Sequence, residues 1–517
     1  MNLFQAIFKN DPDSTAIAYG GREISYGDLR IETIRTAQAI HSIGVERGER
    51  IAILLHDSPE FVQAFIAIVS LGAIAVPVNM ALSVKDQRSI LHNSGSRFAV
   101  VEADICNTVL TGATETLQQL RDVVVVARGK EATGPSKHRI LQDLQAEAAN
   151  SKLPEFAEPE ASQPAFFLYT SGSTGEPKGA IHSQSHIFYT NQTYCHEVLD
   201  LSTTDRLFSS SRLPFAYGLG NSFSFPLLNG ATSILCGEKP TAAVIGRVFR
   251  ENRPTVFFGV PVVYNLLLEN HRNGNKLDCS SLRLCLSAGE ALPAHLGEQW
   301  EQEFGVQLLD GIGSTEMLHM FMSNHPGDVK YGSSGKLLEG YEARLLDEYG
   351  ELVAGNEGNL WIKGGSAALG YWERPEETTR TFVDGWVRTG DLYQRDKSGY
   401  WIHMGRSDDC FKSSGQWVSP VEVEGALLRH ARVRQVAVVE DFDSDQLPCA
   451  CAFVVSDGVE SNSTSLEQEL REMVATLLPR FKQPRLYVFV DELPYTATGK
   501  IQRFKLRQEL RNNERRA

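Results

Sequence analysis

The chain has 517 residues, 42% hydrophobic and 22% charged, which is too long for one ordinary core and apolar enough to build about three. Its 50 Lys and Arg against 64 Asp and Glu leave a formal charge of −14, so the surface as a whole repels phosphate backbones and anionic lipid. Nucleic acid and membrane are therefore excluded as expected partners.

In chain order, the opening "MNLFQAIFKNDPDS" meets acid and proline too early for a signal peptide. "RIAILL" at 50–55 predicts a strand. The apolar run at 65–82 contains Gly72, Pro77 and Asn79, so it reads as two buried elements rather than a membrane span. These are a helix with Asp57 or Ser58 as N-cap, Pro59 in its first turn and Gly72 at its end, then a strand near 75–78. "FAVVEA" (98–103), "DVVVVA" (122–127), "TVFFGV" (255–260) and "LRLCLSAG" (282–289) recur between helical patterns, as expected of parallel sheets with crossover helices. The segment 144–164, polar and rich in Ala, Glu and Pro, is expected to be a surface connection.

From about Tyr341 the texture changes to short alternating strands with Asp-Glu-Tyr-Gly and Lys-Ser-Gly turns, predicting antiparallel structure and a small β-barrel. After "GRSDD" a mixed pattern resumes, with a helix at 420–430, strands near 433–440 and 449–455, a helix from about 465 and a strand near 486–490. The basic ending "KIQRFKLRQELRNNERRA" is expected to be a solvated helix face. The eight cysteines, Cys106, Cys195, Cys236, Cys279, Cys285, Cys410, Cys449 and Cys451, lack two pairs at metal-ligand spacing and read as free thiols of a reducing cytosol.

The stretch "YTSGSTGEPKGAIH" (169–182) follows the strand "AFFLY". Thr170, Ser171, Gly172, Ser173, Thr174 and Gly175 offer hydroxyls and unhindered N–H groups, and Lys178 adds charge, a combination suited to phosphate. A plain Gly/Ser hairpin is the alternative. The P-loop of NTPases fails on spacing, because Lys178 precedes Gly179 and no helix opens after it.

The loop resembles the phosphate loop of the adenylate-forming superfamily of acyl-CoA synthetases, peptide-synthetase adenylation domains and luciferases. "DGIGSTE" (310–316), "GYWERPEET" (370–378), "GWVRTGD" (385–391), "GRSDDCFKSSGQWVSP" (405–420) and "PYTATGKIQR" (494–503) follow in that family's order. The resemblance implies an α/β fold: a large N-terminal domain (1–407) of parallel-sheet subdomains plus the small barrel, and a small mobile α+β C-terminal domain (408–517). It implies ATP, Mg²⁺ and coenzyme A as cofactors and co-substrates, a cytoplasmic location, and a monomer or homodimer.

Roles follow by position in those motifs. Residues 170–175 and Lys178 embrace the leaving phosphates, Thr315 binds phosphate, and Glu316 supplies a carboxylate for Mg²⁺. Asp391 accepts from the ribose hydroxyls and Arg406 helps hold the ribose; taken singly, they would read as a turn aspartate and a surface arginine. Gly289 and Glu290 in "SAGEALP" and Asp310, Gly311, Ile312 and Gly313 wall the adenine. Lys500 bridges the attacking carboxylate and the α-phosphate. Asp408 is the hinge for the second half-reaction, and Ser414 and Gly415 line the tunnel for the pantetheine arm.

For the acid, "RLPFAYGLGNSFSF" (212–225) has Phe215, Ala216 and Tyr217 where amino-acid-activating relatives place an aspartate, so an α-amino acid is disfavoured. With "FFGVPVVY" and "DGIGSTEMLHMFMSN" it resembles the benzoate-CoA ligase branch, which implies a small aromatic carboxylic acid: benzoate, anthranilate or a hydroxybenzoate. Phe215, Ala216, Tyr217, Gly218, Ala288, Ile312, His319 and Met320 are the expected lining. His319 reads as a donor to a ring substituent or as a satisfied structural histidine, and Met320 and Met322 as lining or ordinary core. Pro214 and Cys410 depart from that branch's usual residues. An enzyme loading a carrier-protein pantetheine, a non-catalytic sensor of aryl acids and a medium-chain fatty acyl-CoA synthetase are the alternatives.

Overall fold

The computed structural model describes residues 1–110, 118–128, 138–149, 151–160, 162–171, 177–413, 416–443, 447–456, 463–495 and 501–514. The expected strands assemble into two large sheets. One has seven strands in the order His138–Ile140, Asp122–Val126, Phe98–Glu102, Arg50–Leu54, Ile74–Pro77, Phe166–Ser171 and Pro177–His182, parallel except for the last pair. The other has nine strands, and its parallel centre runs Leu308–Gly313, Leu284–Ser287, Val256–Gly259, Arg206–Ser209, Thr232–Leu235 and Thr15–Tyr19.

Helix Pro59–Ser70 explains the membrane-like run. Ser58 caps it, accepting from the Phe61 N–H, Pro59 opens it, and every residue but Glu60 is buried. Phe65 packs on Phe166 at 5.5 Å and on Phe223 at 4.9 Å, so this helix is apolar all round because it is walled in by protein. Gly72 then takes φ +74 to turn the chain into strand Ile74–Pro77. The rival cap, Asp57, serves elsewhere: it accepts from the Leu213 N–H at 3.1 Å and lies 3.6 Å from Arg212. Among the described residues no helix is long and apolar enough to cross a membrane.

The expected connection at 144–164 begins later than the composition suggests. Leu141–Ala148 is a helix, because Leu141, Leu144 and Ala148 fall on one buried face. The antiparallel region is a sheet of Glu342–Leu346, Glu357–Lys363, Trp386–Arg395, Phe382–Val383 and Trp401–Arg406. Its strands do not pair around to closure, so it is a half-barrel rather than a closed barrel. Toward the C-terminus, strands Val433–Phe442, Pro448–Ser456 and Leu486–Phe489 form a sheet with helices Pro420–Leu427 and Ser463–Leu477 on one face and Arg503–Glu514 on the other.

Candidate active site

The Gly/Ser loop joins two antiparallel strands at the edge of the seven-stranded sheet, with Thr170 opposite Lys178 and Ser171 opposite Pro177. Pro177 and its successors form a strand, in keeping with the failed P-loop spacing. Gly172, Ser173, Thr174 and Gly175 lie outside the described residues, as do Ser414, Gly415 and Lys500.

Thr315 and Glu316 sit in a tight turn between strands Leu308–Gly313 and Met320–Ser323. That turn is sterically demanding. A Cβ on Gly313 would lie 2.4 Å from the His319 carbonyl, and Leu318 is held at φ +64, where a branched side chain is disfavoured. Three groups then meet at one ring. The Tyr371 hydroxyl donates to Glu316 Oε1 at 2.6 Å, and Lys178 Nζ stands 5.7 Å from the centre of the same ring. Burial, then the Glu316 charge, push the Tyr371 phenol well above its usual range, so it stays a donor.

Behind the turn lies a histidine pair, of which His182 ends the quoted 169–182 stretch and His186 lies just beyond it. His182 is fully buried, its Nε2 2.8 Å from the Thr315 carbonyl and its Nδ1 3.0 Å from His186 Nδ1. A carbonyl only accepts, so His182 Nε2 carries the proton, Nδ1 accepts, and His186 donates. Burial first, then His186, bring His182 down to about 3, and burial brings His186 to about 4. Both rings are neutral at working pH. Histidine NMR spectra from pH 8 to 5 should show neither titrating; protonation of His182 near pH 6.5 would refute this packing.

Asp391 and Arg406 face each other on adjacent strands, Oδ1 to Nη1 3.4 Å. Arg406 also donates to the Thr389 carbonyl at 2.8 Å and pairs with Asp408 at 3.4 Å, while His403 Nε2 lies 3.4 Å from Asp391. Gly390 between them takes φ +77, and a Cβ there would lie 2.5 Å from the Arg406 guanidinium, which would have to move aside. Gly289, at φ +91, and Glu290 are exposed. Asp310 is buried, with Oδ2 receiving the Leu292 N–H at 3.4 Å and Oδ1 unpartnered among the described residues. Burial pushes its carboxyl well above the usual range.

The expected acid lining is brought together in part. Ala288 and Met320 are buried in the core cluster that includes Tyr194, Phe225 and Phe258, and Tyr217 and Ile312 pack against it. Ala216 belongs to the neighbouring core, and Phe215 is half-buried. Gly218 permits the tight turn at 212–218, because a Cβ would lie 2.0 Å from the Arg212 carbonyl. His319, 3% exposed, sits among the rings of Phe225 at 4.7 Å, Tyr194 at 4.9 Å and Tyr217 at 5.6 Å. Neither ring nitrogen has a hydrogen bond of good geometry, and burial brings the ring down to about 3. The buried Tyr194 hydroxyl and Asn221 amide are likewise unsatisfied among the described residues. A satisfied structural histidine is therefore not what is found. Each such group costs about 1–3 kcal/mol unless something else meets it, and the Tyr194 ring lies 4.9 Å from His319. Of these, only His319 stands out in the sequence, because Tyr194 meets it from a helix whose packing no local pattern reveals.

The family "AMP-binding enzyme" matches residues 4–372, and "AMP-binding enzyme C-terminal domain" matches 422–500. The benzoate–CoA ligase of Thauera aromatica is 41% identical over 493 residues, covering 93% of this chain and 90% of that one. Two crystal structures are similar throughout. The anthranilate CoA ligase AuaEII in complex with anthranoyl-AMP has TM-score 0.90 and 35% identity, covering 99% of this chain and 97% of that chain. A benzoate CoA ligase from Burkholderia xenovorans LB400 has TM-score 0.87 and 37% identity, covering 98% and 100%.

Proposed function

Because the chain belongs to the AMP-binding enzyme family, we propose that it is an aryl-CoA ligase of the benzoate-CoA and anthranilate-CoA branch. ATP and a benzoate-type acid give an aryl-adenylate and pyrophosphate, and CoA then takes the acyl group, giving aryl-CoA and AMP. The observation that carries the choice of acid is the cluster around His319. It is aromatic, and among the described residues it ends in unsatisfied polar groups that suit a flat ring with a small polar substituent or a bound water.

Adenylation brings two anions together, so positive charge must converge on the phosphates. Lys178 and residues 170–175 serve the β- and γ-phosphates and Thr315 serves phosphate. Asp391 and Arg406 hold the ribose, Asp310 Oδ1 accepts from the adenine edge, and Lys500 bridges carboxylate and α-phosphate. Glu316 fits Mg²⁺: Tyr371 engages Oε1, and Oε2 has no hydrogen bond among the described residues, leaving it to meet a hard cation. When bound, that ion neutralises charge on the departing pyrophosphate.

The thioester step needs Lys500 withdrawn and a thiol admitted. Rotation about Asp408 of a C-terminal domain spanning 408–517 would do both, with Ser414 and Gly415 lining the pantetheine path. The enzyme is proposed to act in the cytoplasm.

The test is pyrophosphate release with ATP and Mg²⁺ across benzoate, anthranilate, the hydroxybenzoates, cinnamate and octanoate, with and without CoA. Strong CoA-dependent turnover on a small aryl acid is expected. Release indifferent to CoA would favour the carrier-loading alternative, octanoate exceeding every aryl acid the fatty acyl alternative, and no release the sensor.

A further inference from the structure

Apart from the Tyr371 hydroxyl that meets Glu316, the motif "GYWERPEET" has no chemical role above, yet its backbone is tied to both halves of the phosphate site. The Ile181 N–H donates to the Gly370 carbonyl at 3.0 Å, Leu369 N–H to Ile181 at 2.8 Å, and Trp372 N–H to Gly179 at 2.8 Å. Residues 369–372 thus pair with the strand that carries Lys178. Next to them, the Ala368 N–H donates to the Glu316 carbonyl at 2.7 Å. One short segment registers Glu316 against Lys178.

The side chain of Tyr371 completes the arrangement. It is 9% exposed, packed edge-on against Phe382 at 5.4 Å, and its backbone N–H donates to Thr378 Oγ1 at 2.9 Å. Trp372 beside it is fixed by Nε1 donating to the Asn93 carbonyl at 3.0 Å. The ring has little freedom. Its hydroxyl holds Glu316, while its face seats Lys178.

A lysine and a glutamate this close to one ring have an obvious alternative, which is to pair with each other. That would cancel the two charges needed for phosphate and cation. No Lys178–Glu316 ion pair is found among the described residues; each is instead engaged by the Tyr371 ring, Glu316 at its hydroxyl and Lys178 at its face. A neutral donor fixes the carboxylate without consuming its charge, and an aromatic face holds the ammonium weakly enough to release it.

We propose that Tyr371 is a positioning residue that holds Glu316 and Lys178 apart and aimed, keeping the carboxylate free for a divalent cation and the ammonium free for phosphate. The proposal rests on the metal and phosphate roles given to Glu316 and Lys178, and on no choice of acid.

The test compares Y371F, which removes the hydroxyl and keeps the ring, with Y371L, which removes both. Binding of Mn²⁺·ATP to the full chain is followed by electron paramagnetic resonance, and ATP–pyrophosphate exchange is measured against Mg²⁺ concentration. For Y371F, Mn²⁺·ATP binding is expected to weaken about tenfold or more, with a matching rise in half-saturating Mg²⁺. Exchange at saturating Mg²⁺, and thioester formation from supplied aryl-adenylate and CoA, should stay near wild type. Y371L is expected to be worse than Y371F, having lost the lysine seat too.

Unchanged Mn²⁺·ATP binding in Y371F overturns the proposal, as does an equal fall in both half-reactions, the mark of a merely structural residue. Equal effects of Y371F and Y371L overturn the spacing of Lys178. Mn²⁺·ATP binding needs no acid. A wild-type enzyme that exchanges with no aryl acid therefore counts against the aryl-CoA reading and leaves the Mn²⁺·ATP binding comparison intact.

Discussion

Lys500→Ala should lower aryl-adenylate formation by about 10²- to 10³-fold, the loss typical of removing one charge-stabilising donor from a preorganised site. Thioester formation from supplied aryl-adenylate and CoA should survive, since the lysine is proposed to withdraw before that step. Tyr495 and Ile501, on either side of Lys500 in sequence, pair as an isolated antiparallel bridge. Single-turnover measurement of each half-reaction checks this. Equal loss in both would refute the assigned role, and no loss in either would move the chemistry elsewhere.

Glu424→Ala should destabilise the C-terminal part by about 3 kcal/mol or more, because it strands a nearly buried cation. Both Glu424 oxygens accept from Arg503 Nη2 at 2.8 Å, and Oε1 also receives the Val438 N–H at 2.7 Å. Without Glu424, the nearest carboxylate to Arg503 is Asp409 at 3.8 Å, which Arg507 already engages at 2.9 Å. The Val438 N–H is orphaned as well. Urea unfolding of the full chain should show an early transition in Glu424→Ala and a milder shift in Glu424→Gln. A transition within about 1 kcal/mol of wild type would mean that water reaches Arg503 freely. Arg503 lies three residues past Lys500 in sequence, and Asp409 lies next to the proposed hinge, so Arg503 links these two stretches of chain.

Much of this was legible because it is local. Ser58-Pro59 at a helix start and Gly72 at its end are set by capping and by positive φ. The β-branched runs are set by the need to bury both faces of a parallel sheet. The spacing of Lys178 from Gly179 was enough to reject the P-loop, and the strand Pro177–His182 agrees. The error at 144–164 has the same origin in reverse, since composition blurred a helix whose buried face comprises only Leu141, Leu144 and Ala148.

By itself, then, the sequence determined the family, the order of elements and the chemical types brought to the site, because motif spacing, caps and periodicity act over a few residues. Tertiary structure alone decided which of those residues meet. His182 reaches Thr315 across 133 positions and Tyr371 reaches Glu316 across 55, while the Tyr194 ring packs beside His319, both with buried, unsatisfied polar atoms among the described residues. Such contacts depend on how sheets and helices pack and on which polar groups lose water in packing, and neither is encoded in any short stretch of chain.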